Sequence, residues 1–150
     1  MFSSTITKVL RNNQVRSALV FPVRRYSTLR YSTSHEWARM DTTTTATVGL
    51  SEFATKTLGD IVYIELPVVG KKHAVGDTIA VVESTKAASE IYAPVAGEIT
   101  SVNNELEGSP EDINEEPTGN GWIWKMSNVN KADFDKLMDE AAYKKFTEEQ

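Results

Sequence analysis

The 150-residue chain contains no cysteine. That single absence excludes disulfide staples, thiolate catalysis and cysteine-based zinc sites. Histidine is almost as scarce, with only His35 and His73. Neither a metal centre nor a histidine-driven nucleophile has enough partners, so no metal and no catalytic residue are expected. No apolar run approaches the roughly 18 residues that cross a bilayer, so no membrane span is expected. A secretory signal needs a continuous apolar centre, and Asn12, Asn13 and Gln14 interrupt any such run. Solenoid-type repeats are also missing. What remains, 40% hydrophobic and 25% charged residues, is the composition of one soluble globular domain plus a tail.

The formal net charge of −5 conceals an asymmetry. Residues 1–34 hold Lys8, Arg11, Arg16, Arg24, Arg25 and Arg30 and no acid. The rest has 10 basic and 21 acidic residues, a net −11. So acidic a body repels phosphates, and nucleic acid is not an expected partner. It suits docking to basic patches on other proteins, or simply solubility. Residues 1–26 are basic, acid-free and rich in Ser, Thr and Asn, and Phe2, Ile6, Val9 and Leu10 share one helical face. That is the character of a mitochondrial or plastid transit peptide. Arg24-Arg25-Tyr26-Ser27 resembles a matrix-protease site, which places the cut after Tyr26 and a mature domain over 27–150 in the mitochondrial matrix.

From Tyr31 onward, short strands alternate with turn signals every 8 to 12 residues or so, the pattern of a small β sandwich or barrel. Strands over 37–40 and 44–48 read as a hairpin around Asp41, with the β-branched run from Thr42 to Thr45 favouring strand. Ser51 is placed to cap a helix over 52–58 that Gly59 stops. A strand over 61–66 ends at Pro67, and Gly70 and Gly76 mark turns. Residues 98–102 read as another strand. Ser109-Pro110-Glu111-Asp112 reads as a helix start with Ser as cap. In a last strand over 122–126, Trp122 and Trp124 are expected on one face. A single C-terminal helix capped by Asn130 is expected to present Phe134, Leu137, Met138, Ala141 and Phe146 to the core.

One segment stands apart. Lys86 lies between two strand-like runs, 10 residues after Gly76 and 11 before Gly97. Ile79 and Val81 alternate before it, and Ile91, Ala93 and Val95 after it, which predicts a tight hairpin with the amine held in water. Spacing alone leaves Lys86 either an ordinary surface lysine or one that another enzyme acylates. Ala87 and Ala88 are small enough to leave the amine accessible.

Glu83-Ser84-Thr85-Lys86-Ala87-Ala88-Ser89-Glu90 resembles the lipoyl-attachment motif of the H-protein family of the glycine cleavage system. Ser34-His35-Glu36-Trp37, Gly59-Asp60-Ile61-Val62-Tyr63, Leu66-Pro67, Gly70, Tyr92-Ala93-Pro94, Gly97-Glu98, Asn114 and Gly121-Trp122 resemble further motifs of that family in order. The likeness covers roughly residues 31–146. Thr85 stands where the family often has valine, and the turn near Asp41 lacks a glycine many members have.

The resemblance implies a mainly β fold, a barrel-sandwich hybrid of the lipoyl/biotinyl type with short helices and a C-terminal α-helix. It implies lipoate on Lys86 through an amide, which removes one positive charge. The chain is then a carrier with no turnover of its own. It takes the aminomethyl group of glycine from the pyridoxal-phosphate-dependent glycine decarboxylase (P protein) to the tetrahydrofolate-dependent aminomethyltransferase (T protein). Dihydrolipoamide dehydrogenase (L protein) then receives its electrons. Glu83, Ser84, Thr85, Ala87, Ala88 and Glu90 flank the lysine for lipoylating enzymes to read, though Glu83 and Glu90 also fit as solvated strand charges. By resemblance Ser34, Glu36 and Glu90 face the loaded arm. His35 reads as a structural histidine, and Trp37 and Trp122 as core.

Two other lipoyl roles share the fold. The lipoyl domain of a 2-oxo-acid dehydrogenase usually reads Asp-Lys-Ala before a linker and a catalytic domain, whereas this chain reads Thr85-Lys86-Ala87 and adds one helix. A relay passing lipoate to other mitochondrial enzymes stays open as a second role. A biotin carrier places methionine on both sides of its lysine, which is not the case here.

Overall fold

The computed structural model describes residues 28–150. The leader and its expected cleavage site lie outside the described residues. The strands, in chain order, are β1 (Leu29–Tyr31), β2 (Glu36–Met40), β3 (Ala46–Leu50), β4 (Ile61–Glu65), β5 (Lys72–His73), β6 (Thr78–Ser84), β7 (Ala88–Tyr92), β8 (Gly97–Val102) and β9 (Trp124–Ser127). They form a six-stranded sheet in the order β1-β2-β3-β9-β8-β5 and a three-stranded sheet in the order β4-β6-β7. Every strand pair is antiparallel.

The two sheets bury their inner faces against each other, the sandwich the sequence predicts. Ala38, Val48, Ile99, Trp124 and Met126 come from the larger sheet, and Ile61, Ile64, Ala80, Val82 and Ile91 from the smaller. Full burial of an Ile or Val side chain is worth about 1.5–3 kcal/mol, so this shared core outweighs any single hairpin. A second cluster, built on Tyr31, Trp37 and Tyr143, packs outside it with Phe53, Trp122 and Phe146.

Helix α1 (Glu52–Leu58) starts and stops as expected. Ser51 Oγ accepts from the Ala54 N–H at 3.1 Å, and Gly59, at φ 85°, ends it by donating its own N–H to Thr55. A left-handed residue in that position favours glycine. Helix α2 (Asp112–Glu115) is a single turn without a side-chain cap. Ser109 contributes only its carbonyl, which accepts from Asp112 N at 3.1 Å, so its expected capping role is corrected.

The C-terminal helix is also corrected, because the chain forms two, α3 (Lys131–Asp135) and α4 (Glu140–Glu148). Between them Met138 exchanges two backbone hydrogen bonds with Tyr31, at 2.8 and 2.9 Å. The sheet edge thus captures the backbone that a continuous helix needs, and Asp139 caps a fresh start by accepting from Ala142 N. Leu137 packs on the main core, Met138 and Phe146 on the second cluster, and Ala141 is exposed.

Three smaller expectations also change. The threonine run forms a turn rather than strand, since Thr42 Oγ1 accepts from the Thr45 N–H at 3.1 Å and meets Thr45 Oγ1 at 2.7 Å. That side-chain closure replaces the missing glycine. Trp122 precedes β9, so alternation never reaches it; it joins the second cluster while Trp124 enters the main core. In β6 the register shifts between Thr78 and Ala80, so Ile79 and Ala80 are both buried and Val81 turns outward. A bulge of this kind puts two successive side chains on one face.

Candidate functional site

The Lys86 hairpin joins β6 to β7 and protrudes from the small sheet. Ser84 builds its tip. The Ser84 N–H donates to Ala87 O at 2.8 Å, while Ser84 Oγ accepts from the backbone N–H groups of Lys86 and Ala87 at 3.1 Å each. One hydroxyl satisfies the donors that a three-residue turn leaves open. Lys86, Ala87 and Ala88 are exposed, and Lys86 has no hydrogen-bonding side-chain partner among the described residues.

A second loop props the tip from beneath. The Thr85 N–H donates to Asp60 O at 3.0 Å. The lysine stem runs over Gly59, where an added Cβ would sit 3.2 Å from Lys86 Cε. Asn114, on α2, fixes that loop at both ends: its Oδ1 accepts from Ile61 N at 2.8 Å and its Nδ2 donates to Gly59 O at 2.9 Å. The sequence places Asn114 in a family motif but gives it no role. Its only signal is an amide side chain next to the one buried apolar residue, Ile113, of a single-turn helix. Asn114→Ala strips both bonds. Leaving two partly buried backbone groups without their partners costs about 1–3 kcal/mol, so the Thr85 amide should exchange with deuterium about tenfold faster. Unchanged Thr85 protection in that variant would mean the clamp does not hold the tip.

Beside the hairpin lies a cavity of about 430 Å³. Ser34, His35, Phe53, Leu58, Ser89 and Glu90 are among its lining residues. Its wall is apolar toward α1 and polar toward β7. Of the residues expected to face a carried arm, Ser34 and Glu90 do meet here, and Glu36 does not. Glu36 is 1% exposed and does not line the cavity. Its carboxylate accepts from Ser34 Oγ at 2.6 Å, from Ser32 Oγ and from the Tyr92 N–H at 3.0 Å. A buried carboxylate requires such donors, so Glu36 anchors Ser34 from below rather than facing the cavity.

Glu90 accepts from Thr78 Oγ1 at 2.7 Å. Glu83 pairs across the sheet with Tyr63 on one side and Ala88 on the other, facing solvent. His35 is half-buried at φ 77°, with Nδ1 2.7 Å from Tyr143 Oη, in keeping with a structural histidine. Burial pushes the Tyr143 phenol above the ordinary tyrosine range; its hydrogen bond with Ser51 opposes this in part, and the Glu36 charge adds a smaller upward push. The sequence reading assigns nothing to Tyr143, although its place on α4 is as regular as that of Phe146. Among the described residues no cluster of His, Asp and Glu is arranged to hold a metal, and no helix is long and apolar enough to cross a membrane.

A stapled, propped and exposed lysine beside a half-apolar cavity has the form of an attachment point for a swinging group. Residues 29–150 match the family model described as Glycine cleavage H-protein. The chain belongs to the glycine cleavage H-protein family. It is 49% identical over 122 residues to the glycine cleavage system H protein of Parvibaculum lavamentivorans, covering 81% of this chain and 97% of that one. It is 54% identical over 115 residues to glycine cleavage system H protein 2 of Pseudomonas putida, covering 77% and 90%. Among solved structures, that of a glycine cleavage system H protein from Mycobacterium marinum superposes with a TM-score of 0.70 at 30% identity, covering 78% of this chain and 94% of that one.

The barrel-sandwich fold expected from the sequence is therefore that of the family. H proteins are lipoyl carriers of the glycine cleavage system, working with its P, T and L proteins, and the chain is a carrier subunit rather than an enzyme. H proteins bear a covalent lipoate on a lysine. A lone lipoyl domain of a 2-oxo-acid dehydrogenase is not favoured.

Proposed function

We propose that Lys86 is the lysine that bears lipoate, and that the chain carries the aminomethyl group of glycine from the decarboxylase to the aminomethyltransferase. The observation that carries this reading is the tip itself: an exposed amine on a hairpin closed by Ser84 and supported by Asp60. The cradle fits the group. Gly59 leaves room for the lysine stem where a Cβ would crowd Cε at 3.2 Å. When bound, lipoate supplies a disulfide that takes up a one-carbon amine together with two electrons.

The protein's own part is to present, shelter and release the arm. Ala87 and Ala88 keep the tip open to partner sites. Phe53 and Leu58 exclude water from the cavity while the Glu90 carboxylate attracts a cationic amine. Glu36 sets Ser34 in place as a polar group at the rim. Glu83 and Glu90 offer acidic side chains that a basic lipoylating enzyme reads. A further role as a relay of lipoate to other enzymes is compatible with the same tip, and no observation favours it.

Residues 1–26 act, in this proposal, as a mitochondrial transit peptide, and the working domain spans 27–150 in the matrix. The acid-free, arginine-bearing composition of residues 1–26 supports this, as does their position before the family match at residue 29. The functional test is reconstitution. Lipoylated protein should support glycine–bicarbonate exchange by purified glycine decarboxylase, and unlipoylated protein should not. If the lipoylated form gave only background exchange, the carrier assignment would fail. Import into isolated mitochondria followed by N-terminal sequencing checks the leader, with Ser27 as the expected new terminus.

A further inference from the structure

His35 occupies the left-handed region of backbone space, at φ 77°, which is uncommon for a residue other than glycine. That backbone turns its ring toward Phe53, Tyr143 and Phe146, at centroid distances of 4.9, 5.7 and 5.8 Å. Nδ1 lies 2.7 Å from Tyr143 Oη, and Tyr143 Oη lies 2.6 Å from Ser51 Oγ. Ser51 is 1% exposed and Tyr143 7%. These three residues come from the β1–β2 turn, the start of α1 and the middle of α4.

The direction of the two bonds follows from counting protons. Ser51 Oγ already accepts the Ala54 N–H. Its own proton has one acceptor within reach among the described residues, Tyr143 Oη. A buried O–H left without an acceptor is costly, so Ser51 donates to Tyr143. Tyr143 then turns its proton toward His35 Nδ1, which must be bare to accept it. The raised Tyr143 pKa agrees, because the phenol keeps its proton. A neutral ring with a bare Nδ1 holds its proton on Nε2, the edge away from Tyr143. No described residue bonds that edge, and His35 lines the cavity beside the lysine hairpin.

We infer that Ser51 and Tyr143 are positioning residues that lock His35 as its Nε2–H tautomer, so that it offers one neutral N–H donor to the sulfur end of a carried arm. The inference rests on the reading that the arm enters this cavity. The division of labour is chemical. Glu90 is the acceptor for a cationic amine, and His35 is a donor for electron-rich sulfur. A neutral N–H donates to sulfur without placing a positive charge next to that amine. Helix α4 thereby acts on the cavity through one phenol, without touching the hairpin.

Two measurements on the mature, full-length protein test this. In the first, long-range proton–nitrogen spectra of the unmodified, nitrogen-15-labelled protein report which His35 nitrogen holds the proton. Nε2–H is expected in the wild type, with a mixture of tautomers in Tyr143→Phe, which keeps the aromatic stack on Tyr31 at 4.1 Å. An Nδ1–H ring in the wild type, or an unchanged spectrum in the variant, overturns the lock. In the second, the lifetime of the loaded amine on lipoylated protein is followed through the formaldehyde released. Tyr143→Phe should shorten it about fivefold, the kinetic equivalent of one ordinary hydrogen bond, and Glu90→Gln should shorten it too. If only Glu90→Gln shortened it, the cavity reading would stand and the tautomer lock would fall. If neither did, the arm does not use the cavity and both fall together.

Discussion

Lys86→Arg is expected to leave a folded protein that never acquires lipoate. Intact-mass measurement of the mature wild type should show one lipoyl adduct, and the variant none. Arginine keeps the positive charge and the long stem, and the backbone bonds that Ser84 and Asp60 make to the tip do not involve the lysine side chain. What it removes is the amine, because a guanidinium stays protonated and is no nucleophile at physiological pH. The effect is therefore all or none, with glycine–bicarbonate exchange falling to background. Other lysines are exposed, including Lys56, Lys71 and Lys131, yet none of them sits on a stapled hairpin beside a cavity. An adduct that survived in the variant would move the attachment site elsewhere.

The largest loss of stability is expected at Trp37. The indole is fully buried, donates Nε1–H to Pro117 O at 2.9 Å and anchors the second cluster. Gly49 faces it across the β2–β3 pair, and a Cβ there would lie 2.8 Å from the ring. Trp37→Ala should cost about 3–5 kcal/mol, the range for deleting a large buried aromatic ring. In a domain of this size that lowers the melting temperature on the order of 15 °C. Gly49→Ala alone should also destabilise, through the clash, but far less once Trp37 is already alanine. That non-additivity is the signature of two residues sharing one space. A thermal-melt cycle showing simple additivity would mean the ring and the glycine do not constrain each other.

Much of this molecule can be read from its residues, for reasons that are local. The Ser51 cap, the Gly59 stop and the turn at Lys86 each depend on side chains within a few positions of one another. The failures are long-range. Nothing near Lys136 announces that Tyr31, more than a hundred residues earlier, will claim the backbone of Met138 and break the helix. Asp139 before Glu140-Ala141-Ala142 was nonetheless a legible second cap. The phase of β6 was hidden by a bulge, which no alternation count detects. At the candidate site, Lys86, Ser34 and Glu90 are the residues the motifs single out, and the last two line the cavity. Glu36 was placed one layer too far out, because sequence shows a carboxylate's charge and not the hydroxyls of Ser32 and Ser34 that bury it. Asn114 and Tyr143 act only through contacts made across the fold.

The clamp that Asn114 makes on the Gly59–Ile61 loop has a kinetic consequence. With the attachment proposed at Lys86, it fixes the origin from which a tethered group swings. A group on a short leash from a fixed point samples a small volume, equivalent to a local concentration on the order of millimolar. If the origin itself wandered, the same leash would sweep a larger volume and that concentration would fall. If Lys86 bears the arm as proposed, Asn114 therefore contributes to how often that arm finds each partner's active site.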